Sequence, residues 1–402
     1  MENIIDEKTK HRYQNAAFVT ADWYVHNQNR SKKYDANTGR YLWQVTEKGQ
    51  RSYDGCWHQA LATVALNEVY KLNRKPIIQE SVELSLAYLR GLQILDAHFP
   101  ESFGAFSELT PMTPWSDVRD GATVAWAFLY FFRQTGDVEY LRRARLFGNW
   151  LLDYGSDKDG WPYGYIYLPG IMKVEGYHTI WGNEEKKQLL LNCQIGVIPL
   201  YAELGNITGQ AKFWERADHM ASYALKNLIT PEGYFISWDK KKNNKGHMDA
   251  VHVLNDDFSS IGLLSAYEVT GKKKYLEAVH KYISYIRKNL AEDGTFDIEV
   301  LKDLGGGEAV FGSLLWEMQA YDSTTDYRSL VKTILDKFLE KQVQDPDNKL
   351  TNGGFQEFQF DSYEGKLKGP FVCGRGTNYA IVALLKASGV SVPWLTPWKR
   401  GK

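Results

Sequence analysis

Three turns in this chain share a spelling. Thr135-Gly136 is followed, four residues after the glycine, by Tyr140; Thr208-Gly209 is followed in the same way by Phe213, and Thr270-Gly271 by Tyr275. A second set of turns alternates with them: Asp159-Gly160-Trp161, Glu232-Gly233-Tyr234, Asp293-Gly294-Thr295-Phe296 and Gly353-Gly354-Phe355. Recurrence at a period of roughly 60–75 residues marks one supersecondary unit used repeatedly. Glycine tolerates the left-handed backbone that ends a helix, so the Thr-Gly pairs read as helix stops inside helical hairpins. A hairpin of this size buries its apolar face only against neighbouring hairpins. The chain is thereby limited to a stack of helical hairpins, open as a solenoid or closed as a ring.

The two helices of a unit differ in kind. From Asp120 the chain carries Ala122, Val124, Ala125, Ala127 and Leu129, small and apolar on most sides. After Gly136, a stripe of Tyr140, Leu141, Ala144, Leu151 and Leu152 stands apart from Arg142, Arg143 and Arg145. The first pattern is that of a buried inner helix and the second that of an amphipathic outer one. Inner patterns also begin near Asp54 and run over 192–209, 255–271, 305–321 and 374–389. Outer patterns occupy 8–28, 79–96, 211–229, 273–290 and 326–343. Pro199 falls inside an inner pattern and predicts a kink there. The outer helix at 8–28 has no inner helix before it, and the inner helix at 374–389 has no outer helix after it. Pairing those two closes the ring. The fold class expected is therefore all-α, an (α/α)6 toroid, with residues 1–402 as a single domain.

Composition narrows the function. A formal net charge of -1 gives no global field for nucleic acid or an anionic membrane. Three cysteines, Cys56, Cys193 and Cys373, argue against a disulfide framework and for a reducing compartment. The N-terminal MENIIDEKTKHRYQ lacks the apolar core of a signal peptide, and no run approaches the ~18 apolar residues of a membrane span. A cytoplasmic protein with no cofactor, no nucleic-acid partner and no membrane partner is expected. Aromatic residues are 14% of the chain, including 13 Trp and 25 Tyr, which suits a surface on which flat ligands stack.

In a toroid the inner helices all start on one face, where unpaired N–H groups and the helix dipoles favour acids and anions. Polar residues crowd those starts: Asp54, Trp57 and His58; Asp117, Arg119 and Asp120; Asn192, Cys193 and Gln194; Asn255, Asp256 and Asp257; Glu308; Arg375, Thr377, Asn378 and Tyr379. Asp and Asn are also favoured caps, so each acid alone has a structural reading. Paired carboxylates with separated pKa values break glycosidic bonds, which makes Asp120, Asp54 and Asp257 the candidate catalytic residues. His58, four residues after Asp54, can orient a carboxylate or a substrate. Trp57, Trp115, Trp161 and Tyr379 are candidate stacking surfaces for sugar, although some aromatics must simply cover the rim of the core. Asp117, Arg119, Glu308 and Arg375 are candidate partners of substrate hydroxyls or of a uronate carboxylate, and the excursion 165–190 can bring His178 to the rim. An oligosaccharide is the expected partner.

The repeated hairpins, the T-G-x-x-x-[YF] turns, the Asp159-Gly160-Trp161 exit and the acidic inner-helix starts resemble the six-hairpin glycosidase superfamily. Within it, size and layout are similar to the unsaturated glucuronyl and rhamnogalacturonyl hydrolases. That resemblance implies a glycoside hydrolase in which one Asp is general acid/base with a second Asp nearby, protonating an enol ether and hydrating the double bond of an unsaturated uronic acid. Asp120 and Asp54 match those two by location. The toroid also serves polysaccharide lyases and sugar epimerases, so fold alone does not choose among them. Two other classes stay open. One is a zinc-dependent cyclase or transferase, for which the hints are three cysteines near inner-helix starts and Cys56 and His58 flanking Trp57. The other is a non-catalytic carbohydrate-binding ring, which needs the aromatics but no acid pair.

Overall fold

A computed structural model describes residues 5–31, 35–46, 48–49, 51–53, 55–168, 189–240, 243–245, 253–254, 256, 258–301, 305–357 and 371–393. The helices, in chain order, are α1 (Glu7–Asn27), α2 (Cys56–Asn73), α3 (Pro76–Gly91), α4 (Val118–Thr135), α5 (Val138–Asp153), α6 (Ile198–Thr208), α7 (Ala211–Asn227), α8 (Ser259–Thr270), α9 (Lys273–Arg287), the single turn α10 (Ile298–Leu301), α11 (Gly307–Met318), α12 (Tyr327–Phe338) and α13 (Gly374–Ala387). Helices α2, α4, α6, α8, α11 and α13 form the inner ring of an (α/α)6 toroid, and α1, α3, α5, α7, α9 and α12 the outer one. All fourteen residues of α13 are buried, as an inner helix requires. No helix among the described residues is long and apolar enough to cross a membrane.

The Thr-Gly repeat has a hydrogen-bonding cause. Gly136, at φ +73°, gives its N–H to the Phe132 carbonyl and so closes α4. The Thr135 hydroxyl donates to the Phe131 carbonyl (2.8 Å) and accepts the N–H of Asp137 (3.1 Å), tying the last turn of one helix to the cap of the next. Thr208 and Thr270 do the same, donating to Leu204 and Ala266 (2.6 Å each) and accepting from Gln210 and Lys272 (3.3 Å each). The aromatic that follows, Tyr140, Phe213 or Tyr275, is buried on the outer helix.

The second set of turns is the fastener between units. Six glycines following the six outer helices, Gly39, Gly104, Gly160, Gly233, Gly294 and Gly353, have φ from +77° to +109°. A Cβ on each would strike the next outer helix: Leu84 on α3, Leu146 on α5, Arg216 on α7, Lys281 on α9, Thr333 on α12 and, last, Val19 on α1. The final contact returns to the first helix, so the ring is closed. Four of these turns are legible in the letters; Gly39 and Gly104 complete the set. Closure is reinforced by α1 packing on α13, by Tyr13 donating to Asp336 on α12 (2.7 Å), and by the Trp23 indole donating to the Leu350 carbonyl (2.7 Å). Replacing Gly353 by Ala is expected to cost at least ~2 kcal/mol more than Gly136→Ala, measured by urea unfolding. Both have positive φ, but the new methyl meets the Val19 carbonyl oxygen at 2.4 Å in the first and open space in the second.

Two details depart from the sequence reading. Pro199 does not kink a helix: Asn192–Val197 is a 3-10 helix, and α6 starts after it with Pro199 in its first turn. Proline is tolerated there because that N–H has no intrahelical acceptor. Nine strands of two or three residues, β1 (Gln44–Val45), β2 (Arg51–Ser52), β3 (Trp115–Asp117), β4 (Tyr165–Tyr167), β5 (Leu189–Leu190), β6 (Trp238–Asp239), β7 (Asn244–Lys245), β8 (Gln356–Glu357) and β9 (Phe371–Cys373), are also present among the described residues. They form the sheets β2-β1-β9-β8, β3-β4 and β5-β6-β7. Strands β3 and β9 run directly into α4 and α13, and so fix where those inner helices begin.

Candidate active site

The start of α4 is held on three sides. Strand β3 pairs with β4, placing Asp117 opposite Tyr165, and the Val118 N–H donates to the Gly164 carbonyl (3.1 Å). Asp117 caps the helix, its Oδ1 accepting the N–H groups of Arg119 (3.1 Å) and Asp120 (3.4 Å). Asp120 therefore sits in the first turn, with one carboxyl oxygen against the Arg119 guanidinium. Arg119 also lies 3.9 Å from Asp117 and spreads over the rings of Phe258 (4.5 Å to the centroid) and Trp57 (5.2 Å). From the far end of the chain, Arg375 on α13 approaches Trp57 at 5.7 Å and Tyr379 at 5.8 Å. Three inner helices and the residue preceding a fourth thus meet around one indole.

A residue outside the sequence expectation completes this group. Glu108, in the loop before β3, accepts the Asp117 N–H (3.1 Å) and the Cys56 thiol (3.8 Å) on Oε2. Its other oxygen faces Asp120 beside Gly55. Gly55 makes room for both: a Cβ there would lie 1.9 Å from Glu108 Oε1 and 2.7 Å from Asp120 Oδ2. At φ -63° the glycine serves space, not backbone conformation. Glu108 breaks no helical period, which is why pattern reading passes over it. Its one signal is that it is the only ionisable residue between Glu101 and Asp117.

Burial governs the electrostatics. It pushes the Asp120 carboxyl well above the usual range; Arg119 opposes this, and the charges of Asp117 and Glu108 add to it. Asp117 is also raised by burial, against Arg119, the two capping N–H groups and the Tyr165 hydroxyl. Burial, then Glu108, Asp120 and Asp117, push the Cys56 thiol up, so it stays a thiol.

The other candidates fall into three groups. Trp57, Asp117, Arg119, Asp120, Arg375 and Tyr379 are brought together as above, although Trp57 and Tyr379 are buried and serve as packing beneath the arginines rather than as open stacking surfaces; Trp115 lies half-buried on β3. Three are placed elsewhere. His58 is buried beneath Trp57 and Trp43 and bonded to the Tyr24 hydroxyl (3.0 Å), so it belongs to the core rather than to a ligand surface. Trp161 is buried with its ring against Tyr223 on α7, a packing role set by the exit turn. Glu308 is engaged by Lys341 (2.7 Å), which also lies 3.9 Å from buried Glu357. Asp54, Asp257 and His178 lie outside the described residues.

Two buried amides near inner-helix starts, Gln194 and Asn378, have neither polar atom bonded among the described residues. A cleft of about 540 Å³ lies at the other end of the ring, lined in part by Trp316, Arg328 and Pro393. Its Lys386 and Glu317 satisfy each other as an ion pair, and none of the acids described above reaches it.

No family model matches the sequence, and no curated protein matches it. Solved structures do. The chain superposes on the unsaturated glucuronyl hydrolase of Bacillus sp. GL1 with a TM-score of 0.72 at 14% identity, over 97% of this chain and 100% of that one. The unsaturated glucuronyl hydrolase of Streptococcus agalactiae gives 0.70 at 13% identity, over 97% and 94%. The α-1,6-mannanase of Salegentibacter sp. HEL1_6 gives 0.62 at 13% identity, over 94% and 99%. These structures share the (α/α)6 toroid with this chain along nearly its whole length.

Proposed function

We propose that this protein is a glycoside hydrolase acting on oligosaccharides, with Asp120 as general acid/base and an unsaturated uronic acid as the preferred sugar. The observation that carries the reading is a carboxyl in the first turn of an inner helix, buried, with a second carboxyl turned towards it beside Gly55. Such a group keeps its proton at neutral pH and can donate it. Its proton goes to the glycosidic oxygen, or to the double bond of an unsaturated uronate; the carboxylate then takes a proton from the attacking water. Arg375 and Arg119, both held over the buried Trp57 indole, suit an anionic sugar. The unspent hydrogen-bonding capacity of Gln194 and Asn378 suits a hydroxylated ligand. Similarity of fold to hydrolases of unsaturated glucuronides adds to this reading by analogy. Asp54 is its proposed partner carboxylate. The buried thiols Cys56 and Cys373 fit a reducing, cytoplasmic setting.

Unsaturated uronyl disaccharides offered to the purified protein test this. Loss of the ultraviolet absorbance of the conjugated double bond is the expected result. A rise of that absorbance on intact polysaccharide would instead identify a lyase, and binding without turnover across a broad glycan panel would leave a carbohydrate-binding ring.

A further inference from the structure

Glu108 has no part in the repeat that builds the toroid, yet it is buried beside the start of α4. A buried carboxylate is costly unless its oxygens are answered. Oε2 is answered twice, by the Asp117 N–H and the Cys56 thiol. Oε1 is turned to Asp120. It and Asp120 Oδ2 lie 1.9 and 2.7 Å from the same point beside Gly55, so they are at most 4.6 Å apart, the sum of those distances. Two buried carboxyls facing each other at this range cannot both carry charge without a large cost, and Glu108 helps to raise the Asp120 carboxyl. Charge points the same way. Glu108, Asp117 and Asp120 converge, and among the described residues Arg119 is the cation that these contacts bring to them. The Tyr165 hydroxyl at Asp117 and the Cys56 thiol at Glu108 are neutral.

We propose that Glu108 and Asp120 are an acid pair sharing one proton, with the proton on Asp120 and Glu108 as the carboxylate that holds it there. Two donors on Glu108, the Asp117 N–H and the Cys56 thiol, favour its ionised form, and the proton on Asp120 makes a third. Glu108 is a positioning residue, acting through Asp120 and not on substrate. Its catalytic consequence rests on the function proposed above; the shared proton does not, being a property of the free protein. Once Asp120 has given its proton away, two facing charges favour its recovery from water.

The test is carboxyl infrared titration of wild type, Asp120→Asn and Glu108→Gln, beside the pH dependence of kcat/KM. A protonated-carboxyl band in the wild-type minus Asp120→Asn difference spectrum at neutral pH is expected. In Glu108→Gln, which keeps the shape and removes the charge, the midpoint of that band falls by about one unit or more, the scale of a like charge at this range. The basic limb of kcat/KM falls with it. No band in the difference spectrum, or an unmoved midpoint, overturns the proposal. If Glu108→Gln fails to fold, the wild-type and Asp120→Asn spectra still decide where the proton sits. If wild type has no glycosidase activity, the infrared arm is unaffected and only the functional reading falls.

Discussion

Asp120→Asn is expected to lower kcat by roughly 10²–10⁴-fold, the usual worth of a positioned general acid/base, while the ring stays folded and ligand still binds. Asparagine is nearly isosteric, and its Nδ2 can donate to Glu108 Oε1 as the protonated acid does. Its carbonyl oxygen can still accept from Arg119, which lies against Asp120 in the wild type. The variant therefore leaves no new buried charge, so thermal unfolding should move little. Steady-state rates on a substrate proven with wild type, with calorimetric binding to the variant, check it. Near-normal kcat would remove Asp120 from the chemistry and direct attention to Asp54.

Acidification should cost this protein stability through His58. The ring is enclosed by Tyr24, Trp43 and Trp57. Tyr24 gives its one hydroxyl hydrogen to the Gly374 carbonyl (2.7 Å), so it accepts from the imidazole N–H. Burial pushes the imidazole down to about 3 from 6.5. The folded state thus refuses a proton that the unfolded chain accepts. The stabilisation is complete above pH 6.5 and is lost as pH falls towards 3, at ~1.4 kcal/mol per unit and on the order of 5 kcal/mol in all. Urea unfolding of wild type and His58→Gln from pH 7 to 4 reads this as a shrinking difference in stability. A constant difference would mean that His58 does not titrate on unfolding. Since His58 lies beneath Trp57, acid should loosen the floor of the candidate site as well.

Much of the ring was legible because its joints are made by backbone geometry. Thr-Gly at a helix end and glycine at an exit turn are demanded by φ and by close approach, so they recur in the letters. The alternation of inner and outer helices was legible for the same reason, since burial on all sides and on one side leave different periods. The site was legible only in part. Asp117, Arg119 and Asp120 stand where an inner helix begins, and position along a helix can be read from one dimension. Glu108 reaches them across a loop, and only the folded chain brings it there. Depth was not legible either: His58, Trp57 and Tyr379 read as a ligand surface in sequence, but all three are buried. The two-residue strands carry no sequence period; tertiary pairing makes them.

The closing contact also orders events during synthesis. Of the ring's helices α1 is made before the others, yet its partners α12, α13 and the Gly353 turn are the ring's last elements. Neighbouring hairpins can settle as they emerge, but the apolar side of α1 has only α2 and α3 to lean on until residues near 350–387 follow. A ribosome stalled before that point would present a sticky, half-built crescent, a natural client for a chaperone.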